Sequence, residues 1–140
     1  MPFPPYTTRR PGLDLLRWLT VAGLAVDAYV HADLADRYDP VANPISQGDL
    51  FRAEAGLAAL AALLVLIRPR LSALAFAFLV AAGGLVLLLL YRYVDVGSIG
   101  PLPDMYEPVW FTEKVVAAVA QGVAAVAVVP LLRAHRRVLV

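Results

Sequence analysis

The sequence predicts an all-α fold, a four-helix transmembrane bundle with both termini cytoplasmic. Three observations predict it. Hydrophobic residues make up 61% of the 140 and the mean hydropathy is +0.72, whereas a soluble domain is nearer 45–50% apolar, as a rough average. Four segments approach the ~20 mostly apolar residues that a spanning helix needs. The cations are sorted between the intervening stretches in a way that assigns them sides.

The first segment, Leu13 to His31, follows Arg9 and Arg10. A cleaved signal peptide has this order of charge and apolar run, but the run is long for one and carries Trp18 and Asp27, so it reads as an anchor. The second segment is Leu50 to Ile67, with Asp49 placed to cap it, and the third is Leu71 to Val94, with Ser72 in its opening turn. Pro69 leaves so short a turn between them that they form an antiparallel hairpin. The fourth, Val109 to Leu132, follows Pro108, has Thr112 and Glu113 near its start and Pro130 in its last turn. Small residues four apart, Ala55/Ala59 and Ala58/Ala62 in the second segment, Ala73/Ala77/Ala81 in the third, and Ala118/Gly122 and Ala120/Ala124 in the fourth, predict close helix packing, which in lipid replaces hydrophobic expulsion as the source of association. Residues 1–12 read as a disordered cytoplasmic tail, 13–132 as the membrane domain and 133–140 as a basic cytoplasmic tail.

Orientation follows from the cations. One side holds Arg9, Arg10, Arg17, Arg68, Arg70, Arg133, Arg136 and Arg137 against Asp14 alone; the other holds Arg37, Arg52, Arg92 and Lys114 against the ten remaining acids. The basic side is cytoplasmic, so loops 32–49 and 95–108 are extracytoplasmic and the protein is a multi-pass protein of the cell membrane. Tyr91, Tyr93, Tyr106 and Trp110 suit an outer aromatic belt, and the basic "RAHRR" end suits anionic headgroups rather than nucleic acid.

The chain has no cysteine, which excludes disulfides, thiolate chemistry and Fe–S clusters. No phosphate-cradling glycine loop and no nucleophile with its base is present, and the midplane offers only Gln121 and Ala82-Gly83-Gly84, too little for a proton relay or a transporter site. Gln121 is expected to make an interhelical hydrogen bond. Asp27, Glu54 and Glu113 each fall about one turn, roughly 6 Å, inside the outer boundary, with Arg52, Arg92 and Lys114 at nearly the same level. This outer polar layer admits three readings: structural ion pairs such as Asp27 or Glu54 with Arg92; a divalent metal site of Asp27, His31 and Glu54; or recognition of a headgroup, quinone, small solute or partner loop. Imidazole with carboxylates suits a divalent transition ion.

The order of His31, then "NPISQGDLF", then "LPDMYEPVWFTEK" resembles small four-helix integral membrane proteins of actinobacteria, and the architecture is similar to DoxX-type proteins. The first likeness covers His31 to Lys114, through Gly48, Phe51, Pro103, Trp110 and Glu113. The DoxX likeness implies a place beside quinone or thiol redox enzymes, and no site residue is carried over from it. The expected function is a non-enzymatic accessory or small binding protein presenting an acidic outer face to a ligand, a membrane-protein partner or a second copy. The alternative is a redox-associated or metal-handling protein with a His/carboxylate site.

Overall fold

The computed structural model describes residues 10–138; the expected disordered tail, residues 1–12, lies outside that range up to residue 9, while its Pro11 and Gly12 are instead the first residues of a helix. Four helices make up the chain: α1 (Pro11–Ala35), α2 (Gln47–Ile67), α3 (Leu71–Tyr93) and α4 (Thr112–Val138), with one 3-10 turn at Asp36–Tyr38. Three of them, α2, α3 and α4, are long and apolar enough to cross a membrane. Charged Asp14, Arg17 and Asp27 interrupt α1 and keep it below that level.

Local chemistry sets the helix ends. Pro11 starts α1, where a missing N–H costs nothing. The cap of α2 is Ser46, whose Oγ accepts from the Asp49 N–H at 2.9 Å; Asp49, expected as the cap, lies instead in the first turn, where an acid complements the helix dipole. Pro69 separates α2 from α3. Beside that turn, Arg17 of α1 donates Nε to the Val65 carbonyl at 3.0 Å and a second nitrogen to the Leu66 carbonyl, filling acceptors that the end of α2 leaves open. Pro130 is not in the last turn of α4, because the helix runs on through Arg133 and His135 to Val138.

The helices pack around a ring, α1 on α2, α2 on α3, α3 on α4 and α4 on α1, with the α2–α3 contact the sparsest. Small residues permit this. Gly23 lies so close to α4 that a Cβ there would stand 2.7 Å from the Ala120 carbonyl oxygen. Ala58, Ala62, Ala73, Ala77, Ala81, Ala120 and Ala124 are all buried, whereas Leu15, Leu79 and Val126 point outward. Two apolar clusters fill the interior. One, toward the Pro69 turn, holds Leu24, Ala58, Ala81 and Ala124; the other, toward the loops, holds Val30, Leu34 and Ala117 with Phe51, Leu88 and Phe111 against them.

Candidate functional site

Between the two clusters lies a polar layer to which each helix contributes one position. Along α1, Leu24 of one cluster gives way to Asp27 and then to Val30 of the other. Along α4, running the opposite way, Ala117 gives way to Gln121 and then Ala124. In α2 the position is Glu54, and in α3 it is Gly84.

Asp27 is 0% exposed and Gln121 1%. Gln121 Nε2 donates to Asp27 Oδ1 at 3.0 Å, the interhelical bond expected of Gln121. One turn along α1, His31 places Nδ1 2.9 Å from the same Oδ1 and 3.0 Å from the Asp27 carbonyl oxygen. Its ring meets Phe51 edge-on at 5.1 Å between centroids. A Cβ on Gly84 would stand 2.5 Å from Gln121 Nε2 and 2.8 Å from Glu54 Oε1, so the ends of Glu54 and Gln121 meet over bare α3 backbone. Three oxygens here, Asp27 Oδ2, Glu54 Oε1 and Gln121 Oε1, are buried and have no hydrogen-bond partner among the described residues. Unmatched buried acceptors are costly, so a donor group that reaches this layer would be stabilised there.

His31, Glu54 and Gly84 also form the deep end of a cavity of about 300 Å³. It occupies the wedge between α2 and α3, which the Pro69 turn joins at one end and which pack sparsely. Phe51, Leu57, Leu87 and Leu88 supply its walls, and Tyr38, Arg92, Glu107 and Lys114 its outer end. At that outer end, Tyr38 donates its hydroxyl to Glu107 at 2.9 Å, and Lys114 lies 3.2 Å from the same carboxylate. Burial and then the Glu107 hydrogen bond push the Tyr38 hydroxyl above its ordinary pKa, so it stays protonated and donating. Lys114 Nζ also donates to the Glu107 and Val109 carbonyls, each at 2.9 Å. Arg92 packs over Tyr93 at 4.7 Å and Trp110 at 5.3 Å.

The expected single outer layer is therefore two. Asp27 lies eight residues before the end of α1, about 12 Å along the axis rather than one turn, because α1 continues past His31 to Ala35. Arg52, Arg92, Glu113 and Lys114 remain near the loops. The expected pairing of Asp27 or Glu54 with Arg92 or Arg52 does not occur. Arg52 instead meets Asp36 at 2.6 Å, Asp39 at 2.8 Å and Asp49 at 2.9 Å, an exposed cluster in which the Arg52 hydrogen bond holds the Asp39 carboxyl below its ordinary pKa. Glu113, half-buried in the first turn of α4, is in no ion pair among the described residues. Asp27 and His31 come together and Glu54 approaches the same layer, but no three His, Cys, Asp or Glu side chains are arranged to hold a metal ion among the described residues. Tyr38, Gly84 and Glu107 belong to the site without having been singled out for it. Only Gly84 carried a signal, as part of the Ala82-Gly83-Gly84 stretch midway along α3.

No protein-family model matches this chain, and no curated protein or solved structure does so.

Proposed function

We propose that the chain is a four-span integral membrane protein of the cell membrane, both termini cytoplasmic, and that it is a non-enzymatic binding protein for an amphiphilic small molecule of the lipid or quinone class. The molecule occupies the cavity between the outer halves of α2 and α3. Three helices have the length and hydropathy to span. We take α1 as the fourth because two of its charges are served from within: Asp27 by Gln121 and His31, and Arg17 by the α2 carbonyls. A charged residue that faces its neighbours rather than lipid is tolerated at depth.

The observation that carries the function is the form of the cavity. Its volume of about 300 Å³ falls at the lower end of the range for small-molecule pockets, about 300–1,000 Å³. That suits one acyl chain or one ring system rather than a two-chain phospholipid. Leucine and phenylalanine walls accept the apolar body, and hydrogen-bonding groups at both ends fix its orientation. The likeness to small actinobacterial four-helix membrane proteins belongs to the same proposal.

Native mass spectrometry of protein released directly from its membrane tests it. The expected result is a bound species of a few hundred daltons, on the scale of drug-sized ligands, that disappears in Leu88→Trp, whose indole fills the cavity. Identical adducts in wild type and Leu88→Trp would count against the cavity as the binding place.

A further inference from the structure

The outer end of the cavity carries one cation with no counter-ion among the described residues. Among the described residues Arg92 has no carboxylate within 4.0 Å, while Lys114 has Glu107 and Arg52 has three aspartates. Arg92 Nε is buried and without a hydrogen-bond acceptor. A guanidinium carries five donors in a planar fork, and leaving a charged donor buried and unmatched costs more than leaving a neutral one. The Tyr93 and Trp110 rings under the guanidinium supply cation–π attraction that holds it in place but accept none of its in-plane hydrogen bonds.

Position matters as much as charge. Gly84, Leu88 and Arg92 are four apart and share one face of α3, so Arg92 stands about 12 Å outward of the deep polar layer with Leu88 between them. The two acids that also line the cavity do not compete for it. Glu107 is engaged by Lys114 and Tyr38, and Glu54 lies at the far end, against Gln121. The outer end of the cavity therefore holds Arg92 and Lys114 against Glu107, an excess of one positive charge beside an apolar slot.

Resting on the cavity reading above, we propose that the ligand carries an oxyanion head, a carboxylate or a phosphate monoester, and that Arg92 binds it in the fork geometry that guanidinium and oxyanions share. The single chain runs inward past Leu88. The guanidinium gains the acceptor it lacks, and the anion gains a cation beside the apolar slot.

Trp110, beside Arg92, reports directly on such a head. In a Trp18→Phe background it is the sole tryptophan. Protein in zwitterionic nanodiscs is titrated with 2-bromododecanoate, whose bromine quenches indole at short range, and in parallel with the uncharged 2-bromododecanol. Dodecanoate and dodecyl phosphate serve as competitors that separate the two oxyanions. Saturable quenching by the carboxylate at no less than tenfold lower concentration than by the alcohol is expected, with Arg92→Gln removing that preference and Arg92→Lys, which keeps charge but loses the fork, restoring part of it. A tenfold ratio is about 1.4 kcal/mol. Equal affinity for both probes in wild type would overturn the oxyanion assignment while leaving the cavity reading intact, and that arm needs no Arg92 variant to fold. If neither probe binds saturably, or Leu88→Tyr, which fills the cavity without adding a second tryptophan, leaves both unaffected, the cavity reading itself fails.

Discussion

Breaking the Asp27–Gln121 bond is the sharpest perturbation of the buried layer. Gln121 is 1% exposed and makes its one side-chain hydrogen bond, 3.0 Å, to a residue that is 0% exposed. Gln121→Leu preserves the volume but leaves the Asp27 carboxyl with His31 as its sole side-chain donor. Removing one partner of a buried pair costs about 1–3 kcal/mol, although couplings measured inside membranes are smaller, about 0.6 kcal/mol on average and about 1.7 at most. The expected loss for Gln121→Leu is thus about 1–2 kcal/mol, and Asp27→Leu should cost a similar amount by stranding the Gln121 amide. The double variant, with apolar groups on both helices, should recover about 0.6–1.7 kcal/mol of the summed loss. Reversible unfolding of the four proteins in mixed micelles by titration with dodecyl sulfate, followed by helical circular dichroism, measures this cycle. Single losses under about 0.5 kcal/mol that add without coupling would refute the layer as an energetic unit.

Other substitutions probe other levels of the same design. Gly84→Ala places a methyl on the ends of Gln121 and Glu54; both give way, so a loss of about 1 kcal/mol is expected, and the Asp27–Gln121 coupling should vanish when the cycle is repeated on this background. Gly23→Val meets backbone of α4 rather than a side-chain end, and should cost about 1–3 kcal/mol in the same titration. The Asp39 carboxyl is held below its ordinary pKa by Arg52, so its contact is at full strength above the unfolded value, about 3.9, and is lost as pH falls through the lower folded value. The difference in thermal midpoint between wild type and Arg52→Gln should accordingly be largest near neutrality and shrink below about pH 4; a difference that does not change with pH would contradict the assignment.

Much of the fold was legible because hydropathy is a local signal. The helices appear where the apolar runs occur, and Ala58/Ala62, Ala73/Ala77/Ala81 and Ala120/Ala124 turn inward, whereas Ala59 of the Ala55/Ala59 row is exposed and Ala118/Gly122 only half-buried, because in alanine-rich helices the spacing alone does not select the packed face. What escaped depended on neighbours in space. The residues after His31, "ADLA", do not look like a continuing membrane helix, yet they extend α1 by one turn and carry Asp27 inward to the level of Gln121. Arg92 and Arg52 had several acids within sequence reach, and only the three-dimensional arrangement shows that the 3-10 turn and loop bring Asp36 and Asp39 to Arg52 and none to Arg92. Glu107 gave no sign of its role because its partners, Tyr38 and Lys114, come from different elements. Pro130 misled through boundary placement, since a proline well inside a long helix reads as a terminator when seen with flanking arginines.

The sidedness of α1 bears most directly on the whole account, because the cavity faces outward with four crossings and the two termini share a side only if α1 crosses. The cysteine-free chain permits single-cysteine labelling in intact cells with a membrane-impermeant maleimide. Gly12→Cys, Ala42→Cys and Ala134→Cys mark the start of α1, the loop between α1 and α2, and the end of α4. The account predicts labelling of Ala42→Cys alone, with the other two reactive only after permeabilisation. Labelling of Gly12→Cys from outside together with Ala42→Cys would show that α1 lies along the surface and would contradict the four-span arrangement.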